Sequence, residues 1–73
     1  MKLSELNIGQ KAIIESCIEC DVCIKLLEMG VLPDTIVEIE RTAPLGDPIQ
    51  IKIEGHSIAL RKDEAQYVIV KVI

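Results

Sequence analysis

Three thiols stand at three-residue intervals in the stretch SCIECDVC, where Cys17, Cys20 and Cys23 form a C-x-x-C-x-x-C run. Thiolates spaced in this way reach one soft cation in zinc and iron–sulfur sites. A closed tetrahedral site needs a fourth donor. His56 is the sole histidine, with Asp21 or a second chain as the other sources. The candidate metal set is therefore Cys17, Cys20, Cys23 and His56, for Zn²⁺ or Fe²⁺. Residues three apart on a helix also share a face, where free cysteine packs as a small apolar group, and packing is the reading we favour for the thiols. By strand parity His56 falls on the inner face of a hairpin, but beside its turn. That position points to a partly exposed ring, with metal ligation or pH sensing as the functional alternative.

The second feature is the loop APLGDP, Ala43 to Pro48, which sets one apolar residue, Leu45, among turn formers. Pro44 presets its φ and Asp47 before Pro48 is pushed extended, so the loop is expected to be stiff. Leu45 either folds back onto the domain or is held out as a pre-organised contact. Pro44, Leu45, Gly46 and Asp47 are the candidate partner-binding residues. The charged run Arg61 to Glu64 reads as a solvated face, with Arg61 and Glu64 as a weak surface pair. The sequence offers no Ser-His-Asp set, no usable Cys-His pair and no phosphate-binding glycine loop, so no enzyme is expected.

Composition narrows the partners. Twelve acids against eight bases give a net charge of −4, and Tyr67 is the single aromatic. Nucleic acid is excluded on both counts, because phosphates call for a basic patch and single strands for stacking faces. No apolar run approaches the roughly 18 residues that span a bilayer. The opening MKLSELNIGQK carries a glutamate where a signal peptide is apolar, so the chain is expected to be cytoplasmic. In that reducing compartment the three cysteines are expected as free thiols or metal ligands.

The elements that position these features are short. Seventy-three residues make one domain, 1–73, and thirteen Ile with six Val point to a β-rich aliphatic core. LSELNIG reads as a helical turn capped by Ser4, with Leu3, Leu6 and Ile8 supplying apolar contacts, and Lys11–Ser16 as a first strand. DVCIKLLEMG is the one substantial helix, with Asp21 as N-cap, a buried stripe of Cys23, Leu26 and Leu27, and Gly30 at C′. Thr35–Thr42 alternates as a strand with Val37 and Ile39 inward. IQIKIEGHSIALR is a hairpin turning at Glu54-Gly55, so that Ile53 faces His56, Ile51 faces Ile58 and Ile49 faces Leu60. Lys62–Gln66 is a single turn, and YVIVKVI is the last strand. The fold class is mainly β: a small, partly open barrel of five to six strands with one short inserted helix.

LLEMGVLPDTIVEIE, followed by APLGDPIQIKIEGHSIALRKDEAQYVIV, closely resembles the ferrous iron transport protein A (FeoA) family. Its marks are a leucine pair before a helix-ending glycine, a Pro-containing turn, a P-x-G-D-P loop, a Gly hairpin and an A-L-R-x-x-E-A segment. SELNIGQKAII fits the family's opening, so the resemblance covers nearly the whole chain. It departs at Pro33-Asp34, where Pro-Gly is common, and at SCIECDVC, where the family is more often polar. The resemblance implies an SH3-like barrel. It implies a cytosolic accessory role toward the membrane ferrous iron transporter that carries a GTPase domain, through protein–protein contact. Two alternatives accompany it: a metal-responsive module using the cysteines, and a stand-alone relative of the C-terminal domain of iron-dependent repressors. Homo-oligomerisation stays open.

Overall fold

The computed structural model describes residues 1–18 and 20–73, with Cys20 described by its backbone alone. A 3₁₀ turn, Leu3–Glu5, opens the chain. Five strands follow: β1 (Lys11–Cys17), β2 (Ile36–Thr42), β3 (Ile49–Ile53), β4 (His56–Leu60) and β5 (Val68–Val72). Helix α1 (Cys20–Glu28) lies between β1 and β2, and the four-residue helix α2 (Lys62–Ala65) between β4 and β5. The strands form one antiparallel sheet in the order β4-β3-β2-β1-β5. β4 and β5 lie at its opposite edges, so the sheet is rolled but not closed, and five strands build the expected open barrel.

Alternation drives the roll. Ala12, Ile14, Val37, Ile39, Ile49, Ile51, Ile53, Val68 and Val70 all point inward and are buried. Leu3, Leu6, Leu26, Val31 and Ala65 close that core from the turn and the helices. Two bulges bend the sheet, one in β1 between Ile14 and Ser16 and one in β2 between Ile39 and Arg41. Each extra residue bends and coils its strand, which brings the inner face around a core of slender aliphatics.

The hairpin has the expected register, pairing Ile49 with Leu60, Ile51 with Ile58 and Ile53 with His56. Glu54 and Gly55 take φ of 53° and 80°, the left-handed pair of a type I′ turn. The end of α1 also follows the sequence. Val31 N–H donates to the Leu26 carbonyl and Gly30 N–H to that of Leu27, the two bonds of a Schellman cap with Gly30 at C′. Asp34 holds φ 65° in the turn that follows Pro33.

Several local expectations are corrected. α1 begins at Cys20, which places Asp21 inside its first turn instead of at the N-cap. Leu27 is half-exposed, because the inward stripe of so short a helix is only wide enough for Leu26, with Cys23 and Val22 at its margins. Ser4 lies within the opening turn, and the Glu5 carboxylate accepts the Lys2 N–H there. Ile8 is exposed, not packed.

Candidate functional site

The APLGDP loop is held at both ends. Gly46 N–H donates to the Ala43 carbonyl at 2.7 Å, closing a β-turn with Pro44 and Leu45 at its tip. Ala43 N–H donates to the Pro48 carbonyl at 3.0 Å, extending the β2–β3 ladder into the loop. The Asp47 carboxylate accepts the Lys62 N–H at 2.9 Å, which fastens the loop to the start of α2. Gly46 has φ 85°, where a side chain is strained, and the Lys62 Nζ stands 3.4 Å from the place a Cβ would occupy. The result is a stiff loop that holds Leu45 out: its side chain is 96% exposed and touches nothing that would bury it. Leu45 therefore does not fold back onto the domain. A shallow depression of about 270 Å³ lies beside it, bordered by Ala43, Pro44, Pro48 and Ala59.

The second surface is a groove of about 290 Å³ between α1 and β1, lined by Ile14, Cys17, Cys23, Leu26, Leu27 and Val31. The β1 bulge makes it. Strict alternation from Ala12 and Ile14 would send Ser16 inward and Cys17 outward. With Glu15 extra, Ser16 pairs with Ile69 and Cys17 with Val68, so Cys17 joins the inner face. There it meets Cys23 in the first turns of α1, and the two are joined as a disulfide with Cα atoms 5.8 Å apart.

That pairing corrects the expectation of free thiols. The sequence spacing alone does not show that a bulge turns Cys17 toward the helix, where six residues of chain bring Cys23 within bonding reach. The side chain of Cys20 lies outside the described residues. His56 is exposed at the β3–β4 turn, paired with Ile53. Ile53 pairs with Val37 and Val37 with Ala12, so His56 belongs to the end of the sheet where β1 begins. Cys17 is the last residue of β1, at the other end. The register therefore brings Cys17 and Cys23 together and leaves His56 apart from them. Among the described residues no group of three or more His, Cys, Asp or Glu gathers about a common point.

Two ion-bearing networks frame these surfaces. The Glu64 carboxylate accepts from the Lys25 ammonium of α1 at 2.5 Å and from the Arg61 N–H at 3.2 Å. Glu64 thus pairs with Lys25, across 39 residues of sequence, and meets Arg61 only through its backbone, which corrects the expected Arg61–Glu64 pair. The Lys25 ammonium and the Arg61 N–H hold Glu64 below its ordinary value against partial desolvation. On the outer face of the sheet, Glu40 at the β2 bulge accepts from the Ser57 hydroxyl at 2.6 Å and from the Gln50 amide at 3.2 Å. The Ser57 bond, more than any other contact, keeps this carboxyl low. Lys25 and Glu64 carry no mutual signal in the sequence. The bulge does: apolar residues at 12, 14 and 17 break the period of two.

A model of the FeoA domain matches residues 1–72. The chain belongs to the FeoA family. A curated relative, the Fe(2+) transport protein A/Fe(2+) transporter FeoB fusion protein of Porphyromonas gingivalis (strain ATCC BAA-308 / W83), is 34% identical over 74 residues. The match takes in 100% of this chain and 9% of that protein. Among solved structures, iron(II) transport protein A from Clostridium thermocellum superposes with a TM-score of 0.93 at 43% identity, over 100% of this chain and 46% of the other. FeoA of Stenotrophomonas maltophilia, solved in complex with zinc and described as a prokaryotic SH3-domain protein, superposes at 0.85 with 29% identity, over 97% and 89%. The open five-stranded barrel of this FeoA domain is thus SH3-like. IdeR of T. acidophilum, at 23% identity and a TM-score of 0.86 over 100% of this chain and 34% of the other, shares the fold. FeoA domains are linked to ferrous iron transport, and among the described residues no helix is long and apolar enough to cross a membrane.

Proposed function

We propose that this FeoA domain is a cytoplasmic accessory and regulatory module of ferrous iron uptake that binds the cytosolic part of the membrane ferrous iron transporter. Leu45 carries the reading: a leucine projected from a loop fastened by Asp47 to α2 exposes apolar surface already ordered for contact. Such pre-organisation lowers the entropy lost on association. The relative in which FeoA and FeoB are one polypeptide supplies the partner. The groove beside α1, with half-exposed Leu27 at its rim, is the second contact surface. Leu45→Asp is expected to leave the fold intact, since nothing packs on that side chain, and to weaken the complex about tenfold or more, as for a central apolar contact. The check is titration of each protein with the transporter's cytosolic domains. Equal affinities would remove Leu45 from the interface.

A second reading, a metal-responsive module, draws on the proximity of Cys17 and Cys23 and on the zinc complex of the S. maltophilia relative. The donors suit Zn²⁺ or Fe²⁺ only as the dithiol, because sulfurs bonded to each other do not act as thiolate ligands. Metal analysis of anaerobically purified protein, repeated with Cys20→Ser, decides it: metal in neither preparation ends this reading.

A further inference from the structure

The groove and the disulfide share residues: Cys17 and Cys23 form part of the wall that Leu26 and Val31 continue. The two ends of α1 are held differently. Its C-terminal end is fixed by buried Leu26, by the Schellman bonds at Gly30 and Val31, and by the Lys25–Glu64 pair. Toward its N-terminal end, the Cys17–Cys23 bond ties the first turns of the helix to the last residue of β1. Among the described side chains there, Asp21 and Ile24 are exposed and Val22 is half-buried at the margin of the core. Both cysteines are themselves half-buried on an open groove, within reach of a small solute.

We propose that Cys17 and Cys23 form a redox-operated latch that sets the shape of the groove between β1 and α1. In the disulfide state the helix start is tied to the strand end. In the dithiol state the tie is released and the helix pivots about its anchored C-terminal end. The oxidant is a low-molecular-weight disulfide. One cysteine thiolate attacks it, forming a mixed disulfide and expelling one small thiolate. The second cysteine thiolate then attacks the protein sulfur of that mixed disulfide, forming the Cys17–Cys23 bond and expelling the other. Two electrons pass from the cysteines to the small disulfide, and the two cysteine protons end on the two thiols produced. Reduction by a dithiol reverses both steps. That the latch tunes the transporter rests on the groove being a contact, as proposed above; the latch itself does not.

The test uses the full chain with Cys20→Ser, so that only one pair can form, and follows Ile, Leu and Val methyl resonances in glutathione disulfide and then in dithiothreitol. Peptide mapping of the oxidised sample is expected to show the Cys17–Cys23 link. Methyls of Ile14, Leu26, Leu27, Val31 and Val68 are expected to shift reversibly, while those of Val37, Ile51 and Ile53 stay fixed. Cys17→Ser and, independently, Cys23→Ser are expected to give spectra indifferent to the redox reagent. Failure of the link to form, or groove methyls that do not move when it does, overturns the latch. A titration with the transporter's cytosolic domains in both states is expected to differ at least about fivefold, the low end of ordinary coupling between sites. Equal affinities beside intact methyl shifts would refute the groove as a contact and leave the latch standing.

Discussion

In the β3–β4 hairpin the farthest cross-strand partners are Ile49 and Leu60, and every pair between them follows from one two-residue turn. At the junction of β1 with α1 the geometry has three separate sources, of which only the last is remote in sequence. A bulge at Glu15 reverses the parity of β1, a covalent bond joins Cys17 to Cys23, and Glu64 holds Lys25 from the far side of the sequence. Both regions are built largely of the same slender aliphatics. The hairpin is redundant, because each inward isoleucine reinforces the register that its neighbours already set. The junction is not, since a nine-residue helix is marginal alone and its ties differ in kind, so that none restates another. A groove that can change shape is more easily built on the second kind of structure than on the first.

The sharpest way to break the hairpin side of this comparison is from its core. Ile51 is fully buried, whereas its partner Ile58 is only half-buried. Ile51→Ala is expected to cost about 3 kcal/mol, transfer and cavity terms together. Ile58→Ala should cost less, since its side chain leaves less of a void. Urea unfolding of both variants checks the order, and equal losses would mean that the two strands of the hairpin are packed alike on their shared face. The junction yields less. Opening the Cys17–Cys23 loop releases the closure entropy of a short loop, about 2 kcal/mol in the chain-entropy model. Unfolding curves with and without dithiothreitol measure it. If the loss is absent, the bond adds no net stability to the fold, and the junction must then be held by packing alone.

The same contrast explains which parts were legible in the sequence. The hairpin register, the Gly30 cap and the inward faces of β2 and β3 rest on periods of two and on residues with one conformational use, which local reading captures. Leu45 was visible as an anomaly, but its projection depended on Asp47 reaching Lys62, fifteen residues away. The disulfide was missed for two physical reasons. The compartment argument disfavoured it, and the bulge that turns Cys17 inward was written only as a broken alternation at Glu15 and Ser16. His56 fell on the expected pairing position, yet the sheet register sets it toward the end of the sheet opposite Cys17, a fact about topology that spacing cannot supply. Leu27 shows the limit of helical periodicity: in so short a helix, a stripe of three apolar residues is wider than the surface it has to cover.

The finest test separates charge from geometry at the tie between the helices. Glu64 is held below its ordinary value near 4.5, first by the Lys25 ammonium and then by the Arg61 N–H. A carboxyl whose folded value is depressed adds stability that is present above the unfolded value and disappears as pH falls through the folded one. Glu64→Gln should therefore be less stable than the native chain at neutral pH, and the gap should close as the solution is acidified below about pH 4.5. Lys25 is 60% exposed, so screening keeps the difference under about 1 kcal/mol. Urea midpoints for both proteins across pH 3 to 7 would measure it on the order of a few tenths of a kcal/mol. A gap that persists unchanged to low pH would show that the Glu64 charge is not its source, since glutamine keeps an oxygen to accept the Arg61 N–H. α1 would then lean on its disulfide, on Leu26 and on the Gly30–Val31 cap, and release of the latch should swing it further.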